Sequence, residues 1–352
     1  MEITKISTPK KIPNGNDLSF GKIFSDHMFT MDYSEGIGWH SPKIIPYGPI
    51  EIDPSTMVLH YGQAVFEGLK AYKTSLGDIN LFRPHKNFER MNISNERLCI
   101  PKVDVDYCVE CIKELVNLDK NWVPSVNGTS LYIRPFIIST DVYLGVRPSK
   151  TYKFIILLSP VGAYYKEGIN PVKIFVENNY VRAIKGGVGY VKTPGNYAAS
   201  LKSQMEAQEK GYTQVLWLDG IKKKYIEEVG TMNVFFYIGD EIITPSLESG
   251  SILSGITRDS TIQLLKKWNL KVVERKISID EVFSARKENQ LKEAFGTGTA
   301  AVISPIGQLV FKDTSIEINN NKIGDLSNKL YSTFTNLQYG KIEDDMNWIV
   351  KL

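Results

Sequence analysis

Apolar residues recur along the chain at two spacings, and each change of spacing marks a new element. From Met57 the alternation reads as a strand, then Phe66-Glu67-Gly68, then a second strand ending at Lys73. Pro84 opens a helix that turns Phe88, Met91 and Leu98 inward and is closed by Pro101. Asp104 to Leu118 carries Val105, Cys108, Ile112 and Leu115 on one face and predicts a second helix. Two strongly apolar strands follow, Leu131 to Ser139 and Tyr152 to Pro160. Residues 1 to 45 are turn-rich and are expected to wrap the surface.

Beyond a connection at Val161 to Asn170, strands are predicted at Val172 to Val176, Gln214 to Leu218, Lys224 to Glu228, Asn233 to Tyr237 and Glu241 to Thr244. Asn196 opens a helix with Ala198, Leu201 and Met205 as its stripe, ending at Lys210-Gly211. Further helices fall near Thr257 to Trp268, Ile279 to Arg286 and Asp325 to Leu337, the last with Leu326, Leu330, Phe334 and Leu337 in register. The pattern predicts an α+β chain: a small domain over 1–165, a linker over 166–178 and a larger, barrel-like β domain with peripheral helices over 179–352.

A length of 352 residues agrees with two domains, and a net charge of +3 argues against a dedicated nucleic-acid binder. Lys222-Lys223-Lys224 follows Asp219-Gly220 and reads as a solvated hairpin tip. Three cysteines make no disulfide framework and fit a reducing cytosol; Cys108 and Cys111 spell C-x-x-C but read as structural thiols on a helix face. The four histidines are scattered, so no metal is expected. The first 30 residues lack an apolar signal core and no apolar run approaches a membrane span, which predicts a cytoplasmic protein with no membrane partner.

Several stretches carry candidate chemistry. Residues 186 to 197, Gly-Gly-Val-Gly-Tyr-Val-Lys-Thr-Pro-Gly-Asn-Tyr, are poor helix and poor strand, so Lys192 sits on a tight connection where a flat ligand can reach it. It reads either as a solvated loop lysine or as a Schiff-base lysine. Ser254-Gly255-Ile256-Thr257 directly precedes a helix and can hold a phosphate on amides, a hydroxyl and the helix dipole, or can simply be a cap. Gly296-Thr297-Gly298-Thr299-Ala300-Ala301 follows a short strand, Glu293 to Phe295, and can form a nest of amides or a plain turn. Glu228 shares a strand face with Ile226, while Glu227 faces the other way with Tyr225. If Ile226 points inward, Glu228 is a buried carboxylate that needs a partner.

Tyr132 and Arg134 share a face on an apolar strand, as carboxylate recognition or a structural ion pair would require, and Pro135 marks that strand as edge or bulged. A remote rival takes Gly187 to Thr193 as a nucleotide-binding P-loop and Val215 to Asp219 as a strand ending in a magnesium-binding Asp; Val191, not glycine, before the lysine obstructs it, and Asp219-Gly220 reads better as a hairpin turn.

These residues together resemble the branched-chain amino acid aminotransferases, fold-type IV pyridoxal-phosphate enzymes, in their longer bacterial and mitochondrial form. The resemblance runs from about Asp32 to Trp348 through HYGQAVFEGLKAY, GTSLYIRP, GGVGYVKTPGNYAASL, QVLWLDG, EEVGTMNVFF, SGITRDS and FGTGTAA, in the family's order and spacing. It implies that Lys192 binds the cofactor covalently and then carries the proton, that Glu228 faces the pyridine nitrogen, and that Tyr197 bonds the ring's phenolic oxygen. It implies a phosphate cup of Arg90, Ile256, Thr257 and Thr299. Substrate would lie against Tyr61, Phe66 and Tyr164, with a loop around Leu144 to Val146 from a partner subunit. Tyr132, Thr299 and Ala300 would take the α-carboxylate, and Arg134 the distal carboxylate of glutamate.

The implied activity is transamination of L-leucine, L-isoleucine and L-valine with 2-oxoglutarate, by a homodimer with small-molecule substrates. D-amino acid transaminase and aminodeoxychorismate lyase are alternatives within the fold that the extent of the match disfavours. One departure stands out: where mitochondrial relatives carry a redox C-x-x-C after the Gly-Thr-Ala turn, this chain has Ala301 and Ser304.

Overall fold

The computed structural model describes residues 1–15, 18–162 and 169–352. The chain divides into two compact units: residues 1–166, 191–194 and 336–352 form the first, and residues 167–190 and 195–335 the second.

The first unit is built on one nine-stranded sheet. Its strands are β1 (Glu2–Ile3), β2 (His27–Ser34), β3 (Gly38–Pro46), β4 (Ala64–Phe66), β5 (Leu69–Lys73), β6 (Ile79–Phe82), β7 (Ser130–Ser139) and β8 (Thr151–Val161), with the C-terminal strand Ile349–Lys351 antiparallel to β6. The order is β1-β3-β2-β8-β7-β5-β6 and then the C-terminal strand, with β4 also on β7.

The helices α1 (Met57–Tyr61), α2 (Pro84–Arg97) and α3 (Val105–Leu118) belong to this unit. Phe88 and Met91 of α2, and Cys108, Ile112 and Leu115 of α3, share one buried core with Leu131 and Ile133 of β7. The periodicity places both long helices correctly, and the Asp104 side chain caps α3 by accepting from the Tyr107 amide. Cys108 and Cys111 are buried free thiols; burial pushes both upward, Cys111 to about 11, so neither is a reactive thiolate.

Three expectations for this half are corrected. Residues 1–45 are not a surface wrap, because β2 lies inside the sheet between β3 and β8 with Phe29 and Met31 in the core. Its Asp, Thr and Ser residues read locally as turns, yet both of its edges are paired. The run from Met57 is helical: Gly62 adopts φ 61°, where a side chain would be strained, and its N–H closes the turn on the Val58 carbonyl. Pro135 is not on an edge, since β7 pairs with β8 throughout and with β5 and β4 on its other side. The proline sits where β5 gives way to β4, and its carbonyl accepts the Glu67 amide at 2.7 Å.

The second unit carries the other nine-stranded sheet. Its strands are β9 (Val172–Val176), β10 (Gln214–Leu218), β11 (Ile226–Val229), β12 (Asn233–Ile238), β13 (Glu241–Thr244), β14 (Lys271–Glu274), β15 (Leu291–Gly298), β16 (Val302–Phe311) and β17 (Thr314–Glu317). The order is β11-β10-β9-β16-β15-β12-β13-β14, with β17 on β16. A bridge between Val229 and Met232 brings β11 back to β12, so the sheet curls on itself, as the barrel-like expectation requires.

Around it lie α4 (Pro194–Ala198), α5 (Leu201–Glu209), α6 (Ile256–Lys267), α7 (Ile279–Lys287) and α8 (Asp325–Gln338).

The 166–178 segment is not a linker, because β9 is an inner strand between β10 and β16. Nor do residues 179–352 form one domain: 191–194 and 336–352 cluster with the first unit, where the C-terminal strand extends the sheet beyond β6. The helix expected from Asn196 is two short helices, and its stripe is reversed. Leu201 (66%) and Met205 (48%) are exposed while Ser203 and Ala207 are buried, because Ala207 packs beside Val215 and Trp217. Size at the contact, not apolarity alone, selects the buried face.

Candidate active site

In the first unit, Lys192 lies on irregular backbone and is fixed at both of its peptide groups. Its amide donates to Ser94 Oγ of α2 at 3.0 Å, and its carbonyl accepts from the Phe66 amide at the end of β4 at 3.1 Å. Thr193 Oγ1 donates to the Ala64 carbonyl at 3.0 Å. The glycine-rich approach therefore ends in a well-tied segment, and the lysine Nζ stands 4.8 Å from the Phe66 ring centre.

The Arg134 guanidinium carbon lies 4.9 Å from the same ring centre, and Arg134 Nη2 donates to the Tyr132 hydroxyl at 3.0 Å. Tyr132 and Arg134 thus share a face as their spacing predicts. Arg134 Nε is buried without a hydrogen-bond partner among the described residues. The Tyr132 hydroxyl passes so close to Gly68 that a Cβ there would sit 1.9 Å from it, so only glycine is accommodated.

Arg90 is buried and doubly bonded to Glu67: Nε to Oε1 and Nη2 to Oε2, both at 2.8 Å. Asn87 Nδ2, at 2.8 Å, and the Gly68 amide, at 3.2 Å, complete the shell of that carboxylate. Sequence reasoning missed Glu67 as the residue that aims Arg90; the available signal was a charged residue between two apolar strands. The Tyr61 hydroxyl donates to the Leu144 carbonyl of the same chain, and Leu144 and Val146 are exposed. Tyr164 lies outside the described residues.

In the second unit, Glu228 is 3% exposed, so the inward reading of its strand face holds. The Leu253 amide donates to Oε1 at 2.7 Å, and Arg182 Nε lies 3.1 Å from Oε2, an ion pair off hydrogen-bond alignment. Arg182 also donates through Nη2 to the carbonyls of Gly189 and Ser251, which ties the glycine-rich segment to the loop before α6. Gly189 is required there, since a Cβ would come within 2.3 Å of the Ser251 carbonyl. Arg182 was not singled out in the sequence; a buried carboxylate needing a cation was the clue.

Glu227 is buried as well, at 5% exposure, on the opposite face, where it accepts from Ser251 Oγ. Burial pushes its carboxyl up, against the Ser251 bond and Arg182, and Glu228 adds to the rise.

Helix α6 begins after Gly255, which has no side chain to cap it, so Ile256 and Thr257 lie in the first turn. A Cβ on Gly255 would meet Asn233 Oδ1 at 2.0 Å, and Asn233 Nδ2 holds the Leu253 carbonyl at 2.9 Å, bracing this turn.

The second glycine turn is narrower than expected. Gly296 to Gly298 are still strand, paired with Val302 to Ser304, which leaves Thr299, Ala300 and Ala301 as the turn. Val302 closes it at φ 62°, a left-handed conformation costly for a β-branched residue. Tyr197 is partly buried in α4, with its carbonyl accepting from Ser200 Oγ at 2.7 Å. The Asp219-Gly220 turn is a hairpin tip as expected: amides of Ile221, Lys222, Lys224 and Tyr225 converge on the Asp219 carboxylate.

The family described as amino-transferase class IV matches residues 64–309. The chain is 59% identical over 352 residues to branched-chain-amino-acid aminotransferase 2 of Bacillus subtilis (strain 168), covering 100% of this chain and 96% of that one. It is 52% identical over 351 residues to a probable branched-chain-amino-acid aminotransferase of Staphylococcus aureus (strain N315), covering 99% and 98%. Among solved structures it resembles the Escherichia coli branched-chain amino acid aminotransferase, with TM-score 0.76 and 27% identity over 91% of this chain and 98% of that one. It is also similar to a T.th. branched-chain amino acid aminotransferase with pyridoxamine 5′-phosphate, with TM-score 0.75 and 26% identity over 91% and 97%.

Proposed function

The chain belongs to the class IV aminotransferases, and on that premise we propose how its residues divide the work of the reaction. The activity is transamination of branched-chain L-amino acids with 2-oxoglutarate, and the cofactor is pyridoxal 5′-phosphate. Neither the D-amino acid nor the lyase alternative is favoured.

Two features of the second unit fit a phosphorylated pyridine. The first turn of α6 follows a glycine with no capping side chain, and Glu228 is a buried carboxylate braced by a cation and an amide. When bound, the cofactor supplies the electron sink.

Lys192 carries the reading: a lysine whose backbone is tied on both sides can move its amine without moving its Cα. It attaches the cofactor and then moves the proton at the substrate Cα. Glu228 holds a proton at the pyridine nitrogen, and Arg182 and the Leu253 amide keep its two oxygens oriented. Tyr197 bonds the phenolic oxygen.

Arg90, the Ile256 and Thr257 amides, and the hydroxyls of Thr257 and Thr299 take the phosphate. Tyr132, Thr299 and Ala300 take the substrate carboxylate. Phe66, Tyr61 and Tyr164 form the apolar wall, and Arg134 receives the distal carboxylate of glutamate. We place the protein in the cytoplasm and read it as a homodimer, the second of these supported by the exposed apolar run Val142, Leu144 and Val146. Among the described residues no helix is long and apolar enough to cross a membrane.

The test is borohydride reduction of the loaded protein followed by peptide mapping, with Lys192→Ala in parallel. Label on Lys192, and loss of covalent cofactor and of leucine turnover in the variant, are expected. Label on another lysine refutes the assignment.

A further inference from the structure

A cavity of about 410 Å³ lies entirely within the second unit and is lined in part by Ile226 and Glu227 of β11. The two faces of the strand carry different acids: Glu228 is the residue assigned above to the cofactor, and Glu227 lines the cavity. Glu227 Oε1 is satisfied by Ser251, but Oε2 is buried with no hydrogen-bond partner among the described residues. An unmet buried carboxylate oxygen costs free energy, and a donor arriving at this wall removes that cost.

The remaining lining limits what that donor can belong to. Lys185, Lys222 and Lys276 stand at the exposed margin with Glu248, and Asp219 also lines the cavity, its carboxylate already taken by the amides of Ile221, Lys222, Lys224 and Tyr225. Lys276 Nζ lies 5.6 Å from the Tyr225 ring centre. The apolar part of the lining is Tyr225, Ile226, Pro245 and Ile252, and Ser246, Ser249 and Ser251 line the cavity as well. A simple cation would meet the lysines, and a simple anion would meet Glu227. The volume suits a small molecule.

We propose that this cavity is a second binding site, for a zwitterionic amino acid with an apolar side chain, whose ammonium meets Glu227 and whose carboxylate meets the lysine rim.

The test is calorimetric titration of L-leucine into borohydride-reduced holoenzyme, in which the cofactor is locked and cannot react. Saturable binding is expected, weakened at least about tenfold in Glu227→Gln, where the charge-assisted bond is lost. Lys276→Gln and Lys185→Gln, exposed positions that leave the fold intact, are expected to weaken it in the same sense. 4-Methylpentanoate, which lacks the ammonium, and 3-methylbutylamine, which lacks the carboxylate, should each bind at least about tenfold more weakly than L-leucine.

Equal affinity of Glu227→Gln and wild type, or of the deaminated acid and leucine, overturns the proposal, as does the absence of binding. Failure of the functional reading is seen separately. A protein that takes up no pyridoxal phosphate fails that reading, whereas Glu227-dependent leucine binding is then measured on the cofactor-free protein.

Discussion

Glu67→Gln puts the buried ion pair of the first unit to a direct test. The carboxylate is fully buried and receives N–H bonds from Arg90 Nε and Nη2, Asn87 Nδ2 and the Gly68 amide. Glutamine keeps the shape but has one acceptor oxygen, and its NH₂ must face a donor. Arg90, 8% exposed as a residue, then keeps its charge in the interior without the Glu67 carboxylate. Breaking a buried pair from one side costs about 3–5 kcal/mol.

Arg90→Met made together with Glu67→Gln removes the stranded charge, so the double variant should recover most of that loss. The cycle then shows a coupling well above the few tenths expected of independent sites. Because the chain has two units, global unfolding is a poor measure. Amide hydrogen exchange in α2 and β7 reports the local opening energy instead. A loss below about 1 kcal/mol in Glu67→Gln, or additivity across the cycle, would refute the claim that Arg90 is held by this carboxylate.

Three further outcomes are expected. Glu228→Gln should retain covalent cofactor but lose turnover more than substrate binding, since a neutral partner leaves the pyridine nitrogen unprotonated; an unchanged kcat would remove Glu228 from that role. Arg134→Gln should lower single-turnover specificity for glutamate roughly ten- to a hundredfold and for leucine much less, and equal losses would make Arg134 structural. Burial pulls the Lys70 amine from 10.5 down to about 8. The unfolded chain therefore binds the extra proton between those values, and stability should rise with pH across that window by about 3 kcal/mol. Lys70→Met should flatten this rise and gain stability at neutral pH, and a local opening energy of β5 that does not change from pH 8 to 10.5 would exclude it.

Local patterning determined a good deal of this protein. Helices α2, α3, α6 and α8 follow from apolar spacing with a proline or a capping side chain at the starts of the first two, because a helix face is set by neighbours three and four residues away. The irregular backbone around Lys192 follows from its glycines and proline, and the ordered runs around it sufficed to identify the family. What the tertiary structure decided is whatever depends on a distant partner. Glu227 and Glu228 look alike on a strand, and only the packing on each side gives one Arg182 and the Leu253 amide and the other a cavity.

The same holds for β2, whose polar residues read as turns until β3 and β8 flank it, and for β9, which looked like a linker until β10 and β16 paired with it. Arg90 offered no more than a helix-face charge until Glu67, on the segment between β4 and β5, came to meet it. Strand pairing and the burial of charge are settled by residues far apart in the chain, and a local window holds one half of each such pair.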